Sequence, residues 1–295
     1  MLSTYEALER HLSEKISHQT IQINTIPFPH FVIDDFLPVD IFKQINSSSP
    51  SGISLRKEFF TPVEKNKKIW GDEELSGSLL FPVKLLGGAI GKKLVSKIIS
   101  SQSVKSMMDM DNYGGYYPYH SMQVGGFLGS HVDHSYAMND DDLHVANCIY
   151  FVSPKWDKTW GGETLLFNQT GFQIIKKILP KPNRLIVFSH SSSSFHGTGT
   201  LKCPDSVKRN TYYMDFYIPN SEYYTVRGAL KKAFGTNFSI WRHGTTFIPF
   251  APLGIKSFSL KNFLSRIRYF PSFLLYWLIF FFRPLGVFNK SRIRS

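Results

Sequence analysis

His131-Val-Asp133 and His196 are the residues best suited to chemistry in this chain of 295 residues. In an extended strand, side chains at i and i+2 project to the same side. His131 and Asp133 therefore reach one cavity if this stretch is a strand or its extended end. His196 follows His131 by 65 residues, far enough to arrive from another strand. Two imidazoles and one carboxylate on one face of a first-row metal leave its other positions open, the arrangement of non-haem Fe(II) facial triads. Zinc accepts the same residue types, so type alone leaves the metal open. The plain alternative is a polar surface loop, because Asn139-Asp140-Asp141-Asp142 comes shortly afterwards.

Strands have to carry these residues. From about Met107, short β-branched and aromatic runs alternate with Gly, Pro, Asn and Asp. The expected strands are 117–124, 145–152, 164–167, 184–188 and 211–217, with turns between them. Only 170–179 offers a helix among them, so a Rossmann sheet is excluded and a β-sandwich or jelly roll is expected. Upstream, Leu8, Leu12 and Ile16 recur at helical spacing over 2–17, and Ser3 and Glu6 have capping-box spacing. A strand is expected at 31–33, a short helix at 39–45, an irregular stretch over 46–82 and a helix over 83–100. Trp160-Gly161-Gly162-Glu163-Thr164 has the form of a close backbone approach before a strand. Arg209, 13 residues after His196, could grip a carboxylate in a bidentate fork if buried.

Four elements in this order resemble the 2-oxoglutarate- and Fe(II)-dependent dioxygenases of the prolyl-4-hydroxylase-like group. They are Gly125-Gly-Phe-Leu-Gly-Ser-His131-Val-Asp133-His, Cys148-Ile-Tyr150-Phe-Val-Ser-Pro-Lys-Trp156, Gly161-Gly-Glu-Thr, and His196 with Arg209. The resemblance spans about Met107 to Ile218. A weaker echo is Pro27-Phe-Pro-His-Phe-Val-Ile-Asp-Asp-Phe-Leu-Pro38, similar to the segment leading into the core of many such enzymes.

The resemblance implies a double-stranded β-helix (jelly-roll) core, mainly β with helical supports. It puts the metal ligands at His131, Asp133 and His196, and the residue for the 2-oxoglutarate C5 carboxylate at Arg209. Tyr150 occupies a motif position where some relatives bind the same carboxylate through a hydroxyl; an ordinary core aromatic is the alternative. Gln123 stands nearest to a cofactor-contacting tyrosine of many relatives. His134 and His190 are expected nearby as polar supporting residues. The implied cofactors are Fe(II) and 2-oxoglutarate, with ascorbate as reductant. The implied reaction is hydroxylation of an unidentified substrate, with succinate and CO2 as co-products. A carboxylate at 133 favours hydroxylation over halide transfer. The triad atoms are expected within roughly 3–4 Å of one another, with Arg209 in the same cavity. The second reading is a catalytically silent jelly-roll module that binds a metal or ligand.

Composition fits such a globular chain, with 42% hydrophobic, 15% aromatic and 19% charged residues. Two cysteines suit a reducing compartment, and no secretory signal pattern opens the chain, so a cytoplasmic location is expected. The net charge of +12 sits wholly in the tail. From Val226 onward there are twelve Lys or Arg and no Asp or Glu, which leaves 22 basic residues to balance all 22 acidic ones upstream. Three regions follow: 1–105 as support, 106–225 as dioxygenase core, and 226–295 as a basic, aromatic-rich extension. Residues 257–288 combine an amphipathic stretch with ten apolar residues from Phe273 to Phe282. They are expected to bind an anionic membrane surface peripherally; the alternative is a cap over the β core. Nucleic acid is not the expected partner, since Phe-rich runs do not suit phosphate. As a separate anchor, the extension would be dispensable, and a chain ending near Thr225 would keep turnover.

Overall fold

The computed structural model describes residues 5–48, 50, 57–110, 116–137, 141–236, 238–248, 267 and 269–282. Ser3 and most of 257–288 therefore lie outside the described residues. Helices α1 (Tyr5–His18), α2 (Val39–Ser47), α3 (Leu80–Gly87) and α4 (Ala89–Val95) support the sheet from the N-terminal side, with β1 (His30–Ile33), β2 (Lys57–Phe60) and β3 (Glu64–Trp70) between them. Next come β4 (Lys105–Ser106), β5 (Tyr119–Val132), β6 (Leu143–Phe151), β7 (Thr164–Phe167), β8 (Ile174–Ile178), β9 (Leu185–Ser189), β10 (His196–Thr198) and β11 (Arg209–Ile218). Helix α5 (Tyr223–Phe234), β12 (Thr246–Phe247) and α6 (Phe270–Phe282) follow.

The described strands form one antiparallel sheet with the path β1-β9-β6-β11-β5-β10-β7-β8. It curls on itself, because Leu166 of β7 and Ile178 of β8 pack in one cluster with Phe151, Ile186 and Phe188 of β6 and β9. This is the double-stranded β-helix. Period-two alternation sorts its faces. Cys148, Tyr150, Leu185, Val187, Tyr212, Met214 and Phe216 point outward into the main core, where α1, α3 and α4 cover them. Their neighbours Asn147, Ile149, Thr211, Tyr213 and Asp215 face inward.

Several expectations are corrected. The stretch expected to be irregular holds β2 and β3. Strand β3 reads Glu-Lys-Asn-Lys-Lys-Ile-Trp, a charged pattern that hides a strand paired on both sides, with β2 and with β5. The helical 83–100 is two helices, broken where Gly88 takes extended backbone. The helix candidate at 170–179 is β8, an outer strand whose Lys176 and Lys177 face solvent. Strand β5 does not stop at 124. A bulge carries it on: Lys67 pairs with Met122 but Lys65 with Phe127.

The boundary at 225 also fails as a division between core and appendage. Val226, Leu230, Phe238 and Ile240 are buried in the main core. Ile248 and Tyr276 join Val132, Leu165, Phe167 and Phe195 in a second cluster. Residues 226–248 thus cover the β core, and within 257–288 Tyr276 packs on it as well. Cys148 and Cys203 are both buried and free. Among the described residues, no helix is long and apolar enough to cross a membrane.

Candidate metal centre and cofactor cavity

His131 lies near the end of β5 and is the register partner of His196 on β10. Their rings sit 4.3 Å apart. Such closeness needs Gly197, because a Cβ there would lie 2.6 Å from the Leu128 carbonyl oxygen and 2.9 Å from that of Gly129. Asp133, just past the strand, completes the group. Its Oδ1 is 3.3 Å from His131 Nε2, and its Oδ2 is 3.3 Å from His196 Nε2. The expected convergence of the triad is present.

The residues fit a metal in a further respect. His131 Nδ1 lies 2.8 Å from the Gly129 carbonyl and His196 Nδ1 3.1 Å from the Ser194 carbonyl. A carbonyl only accepts, so both Nδ1 atoms carry the proton in the neutral ring. Both Nε2 lone pairs then face the shared centre. Burial pushes the Asp133 carboxyl upward, but with no metal bound the attraction of His196 and the hydrogen bonds that the protonated His131 and His196 rings donate outweigh it and hold the group well below the usual carboxylate range. Phe247 stacks on His131 at 5.1 Å, and Phe188 packs on His196 at 5.0 Å. Together these contacts fix both rings.

A cavity of about 260 Å³ opens from the triad, lined also by Met122, Ile149, Thr211, Tyr213 and Arg209. Arg209 begins β11, opposite Met122. Its Nε donates to the Gly162 carbonyl at 2.8 Å, its Nη2 to Thr164 Oγ1 at 3.2 Å, and its guanidinium lies over Phe151. Gly162 has φ +72°, and a Cβ on it would crowd the Trp156 ring at 3.0 Å and Arg209 Cδ at 3.3 Å. The Gly-Gly-Glu-Thr motif therefore acts by shaping the seat of Arg209. Burial pushes the Arg209 pKa down to about 9, with Glu163 pulling the other way, so the group stays charged at neutral pH. Among the described residues it forms no ion pair. Burying a cation without an ion pair is costly, and an anion entering the cavity would offset that cost.

Two other expected contacts are not in the cavity. Tyr150 points to the opposite face of β6 from Ile149. Its hydroxyl donates to Asn183 Oδ1 at 2.7 Å, and its ring meets Phe36 edge-on. It is the core aromatic, and it ties the 36–37 segment to the sheet: Asn183 Oδ1 also accepts from the Leu37 N–H. Gln123 sits at the β5 bulge beside Met122, and Met122 is the one that lines the cavity. Both misplacements are one-residue errors of parity, which in a strand reverse the face.

Sequence reading missed the support behind Asp133. Asn147 Nδ2 lies 3.3 Å from Asp133 Oδ2 and donates to Asp215 Oδ1 at 2.7 Å. The Tyr213 hydroxyl approaches Asp133 Oδ2 at 3.3 Å. His144 stands behind Asp215. Its Nε2 is 3.1 Å from Asp215 Oδ1, and its Nδ1 is 3.0 Å from the His134 carbonyl. Both nitrogens face acceptors, which suits an imidazolium. Burial opposes that charge, but Asp215 outweighs it and raises the pKa. His134 Nε2 meets the Tyr217 hydroxyl at 2.8 Å, and His190 stacks on His144 at 4.0 Å. Both are neighbours of the site, as expected. The available signal was polar residues inside otherwise apolar strands, Asn147 in β6 and Asp215 in β11.

Asn147→Ala is expected to weaken Fe(II) or Mn(II) binding by about 10–100-fold, the usual loss when a residue that orients a metal ligand is removed. Anaerobic metal titration against wild type measures it, with Tm recorded to show that the fold is kept.

Comparison with known proteins agrees with this geometry. Residues 117–213 match the family described as the 2OG-Fe(II) oxygenase superfamily. No curated protein sequence matches significantly. Among solved structures, a Trichoplax adhaerens prolyl hydroxylase in complex with a hypoxia-inducible-factor peptide fragment is similar at 15% identity and a TM-score of 0.46. That match covers 75% of this chain and 94% of the other. A Pseudomonas putida prolyl-4-hydroxylase gives 15% identity and a TM-score of 0.44, covering 72% and 100%. HygX from Streptomyces hygroscopicus, with nickel and 2-oxoglutarate bound, gives 11% and 0.44, covering 65% and 83%. The matched residues 117–213 include His131, Asp133, His196 and Arg209, and with its motifs in this order the chain resembles the prolyl-4-hydroxylase-like 2-oxoglutarate/Fe(II) oxygenases.

Proposed function

We propose that the protein is a 2-oxoglutarate- and Fe(II)-dependent hydroxylase that releases succinate and CO2 and uses ascorbate as an auxiliary reductant. One observation carries the reading: an inward-facing His131/Asp133/His196 triad shares its cavity with a buried, charged Arg209 that forms no ion pair among the described residues. In this reading His131, Asp133 and His196 hold Fe(II). Arg209 receives the far carboxylate of 2-oxoglutarate. Bound Fe(II), with 2-oxoglutarate and O2, supplies the oxidising power to hydroxylate an unactivated C–H bond.

The chain's own part is positional. The backbone carbonyls of Gly129 and Ser194 keep the imidazoles in the binding tautomer. Gly162 and Thr164 hold the guanidinium in one orientation. Ile149, Met122 and Leu128 give the cavity an apolar wall that keeps water from the reacting centre. The substrate enters this reading only as a molecule with an accessible C–H bond.

The test is decarboxylation of 2-oxoglutarate with Fe(II) and ascorbate. Arg209→Lys keeps the charge but loses the fork, and Arg209→Leu loses both. Removing a charge-assisted hydrogen-bonded contact costs about 1.5–3 kcal/mol. The KM for 2-oxoglutarate should therefore rise roughly 10–150-fold in Arg209→Leu, and less in Arg209→Lys, while metal affinity stays near wild type. A KM that ignores both changes removes Arg209 from the cofactor site. Wild-type protein that binds metal but never turns over 2-oxoglutarate returns the reading to a silent binding module.

A further inference from the structure

Among the described residues, helix α6 meets the rest of the protein through one side. Tyr276 is buried, and its hydroxyl donates to the Ser192 carbonyl. Phe273 and Trp277 pack on Phe172, and Tyr276 packs on Phe195 and Trp241. The opposite side carries Phe270, Leu274, Leu275 and Leu278, which are 43%, 46%, 60% and 42% exposed. Ile267 extends the same stripe one turn earlier at 44%. A surface helix of a soluble domain normally turns charged residues outward. This one reads Phe-Pro-Ser-Phe-Leu-Leu-Tyr-Trp-Leu-Ile-Phe-Phe-Phe and has no charged residue at all. Phe172, 40% exposed, prolongs the apolar surface onto the turn before β8. Lys176 and Lys177 of β8 are exposed beyond it.

We propose that this outer face of α6 seats the protein on an anionic lipid surface, with the helix lying in the interface. Charge selects this occupant. In sequence the helix is flanked by Lys256, Lys261, Arg266 and Arg268 on one side and by Arg283, Lys290, Arg292 and Arg294 on the other, with no acidic residue after Glu222. A second copy docking face to face would bring two such cationic segments together, and like charges oppose that pairing. An anionic bilayer presents the opposite charge and an apolar layer at the depth the leucines reach. Thirteen residues make a helix of about 20 Å, too short for a bilayer core of about 30 Å. The helix lies along the surface, held to the protein by Tyr276.

The position has a structural link to the cavity. Tyr269, one residue before α6, packs on Phe247, and Phe247 stacks on His131. The proposed lipid-facing helix thus begins two ring contacts from a residue of the triad.

Sedimentation of the full chain with phosphatidylcholine vesicles, with and without phosphatidylserine, tests the proposal. Binding is expected only with phosphatidylserine and should weaken as salt rises. Leu274→Glu/Leu275→Glu, on the exposed side, should weaken that binding by about tenfold or more, with an unchanged Tm. Leu275→Gln is the milder variant should the pair disturb folding, and it should give a smaller loss in the same direction. Tyr224→Glu, at an exposed position on α5, is the control and should bind like wild type. Absence of binding to the anionic vesicles overturns the proposal. Equal binding by wild type and the Leu variants overturns it too. A concentration-dependent dimer that the Leu variants abolish assigns the face to a second copy instead. None of these readouts depends on 2-oxoglutarate turnover.

Discussion

Asp133→Ala is expected to abolish 2-oxoglutarate decarboxylation, by roughly 10³-fold or more, well beyond the 10–100-fold typical of residues that only orient a ligand. The carboxylate is the one anionic donor of the triad, and each of its oxygens faces one imidazole nitrogen at 3.3 Å. Without it, two neutral histidines remain to hold a dication in a buried cavity. The loss should appear first in metal affinity, since one of three donors, and the only anionic one, is gone. It should not appear in the fold. His131 and His196 keep their backbone hydrogen bonds through Nδ1, and Asn147 keeps Asp215. Anaerobic titration with Fe(II), a decarboxylation assay and a thermal melt separate these readouts. A variant that binds metal and turns over 2-oxoglutarate like wild type would falsify the assignment of the triad.

Ending the chain at Thr225 should be nearly as damaging, but through the fold. Val226, Leu230, Phe238, Ile240 and Ile248 are all buried. At about 1.5–3 kcal/mol for each side chain withdrawn from water, their loss is on the order of 10 kcal/mol. That is comparable with the whole stability of a typical domain. The same cut removes β12, which pairs Thr246 with Val132 and Phe247 with His131. It also removes His243, whose carbonyl accepts from the Ser135 N–H at 3.0 Å. The expected product is aggregated or lacks a cooperative melt. A chain ending just after Ile248 keeps these contacts and, among the described residues, sacrifices chiefly the burial of Tyr276, so it should still melt cooperatively. Circular dichroism melts of the two truncated proteins decide the matter; equal cooperativity would show that residues 226–248 are dispensable.

The strands that carry the triad were legible because His131-Val-Asp133 and His196 obey local rules. Two residues of strand spacing put His131 and Asp133 together, and a distant strand brought His196. Arg209 was legible through its resemblance motif, and its burial confirms a cavity position. What the sequence concealed had a common origin. Tyr150 and Ile149 differ by one position, and which of them faces inward depends on the curl of the sheet rather than on either residue type. Gln123 and Met122 differ in the same way, beside a bulge that no spacing announces. Strand β3 was hidden because its backbone is paired on both sides while most of its side chains are only half-buried, and such positions accept lysine. The Asn147–Asp215–His144 chain joins β6 and β11, whose pairing is a property of the topology. Residues 226–248 looked separate because their charge differs from the rest, but charge describes the outside of a segment. Val226, Leu230 and Ile240 were the inside, and their spacing was outweighed by the excess of lysine and arginine.

Strand β5 has no open flank where it matters. Residues 119–122 lie between β3 and β11, and the stretch leading to His131 is hydrogen-bonded in turn to β3, β10 and β12. Small local openings draw on segments with an unpaired edge, and at His131 both edges are paired. To free the backbone under His131, β10 on one side and β12 on the other must both let go. Fraying of either neighbour alone therefore leaves His131 paired on its other side. Exchange of an ion at the triad is then governed by side-chain motion and access through the cavity, while the backbone beneath holds its shape for as long as the molecule stays folded.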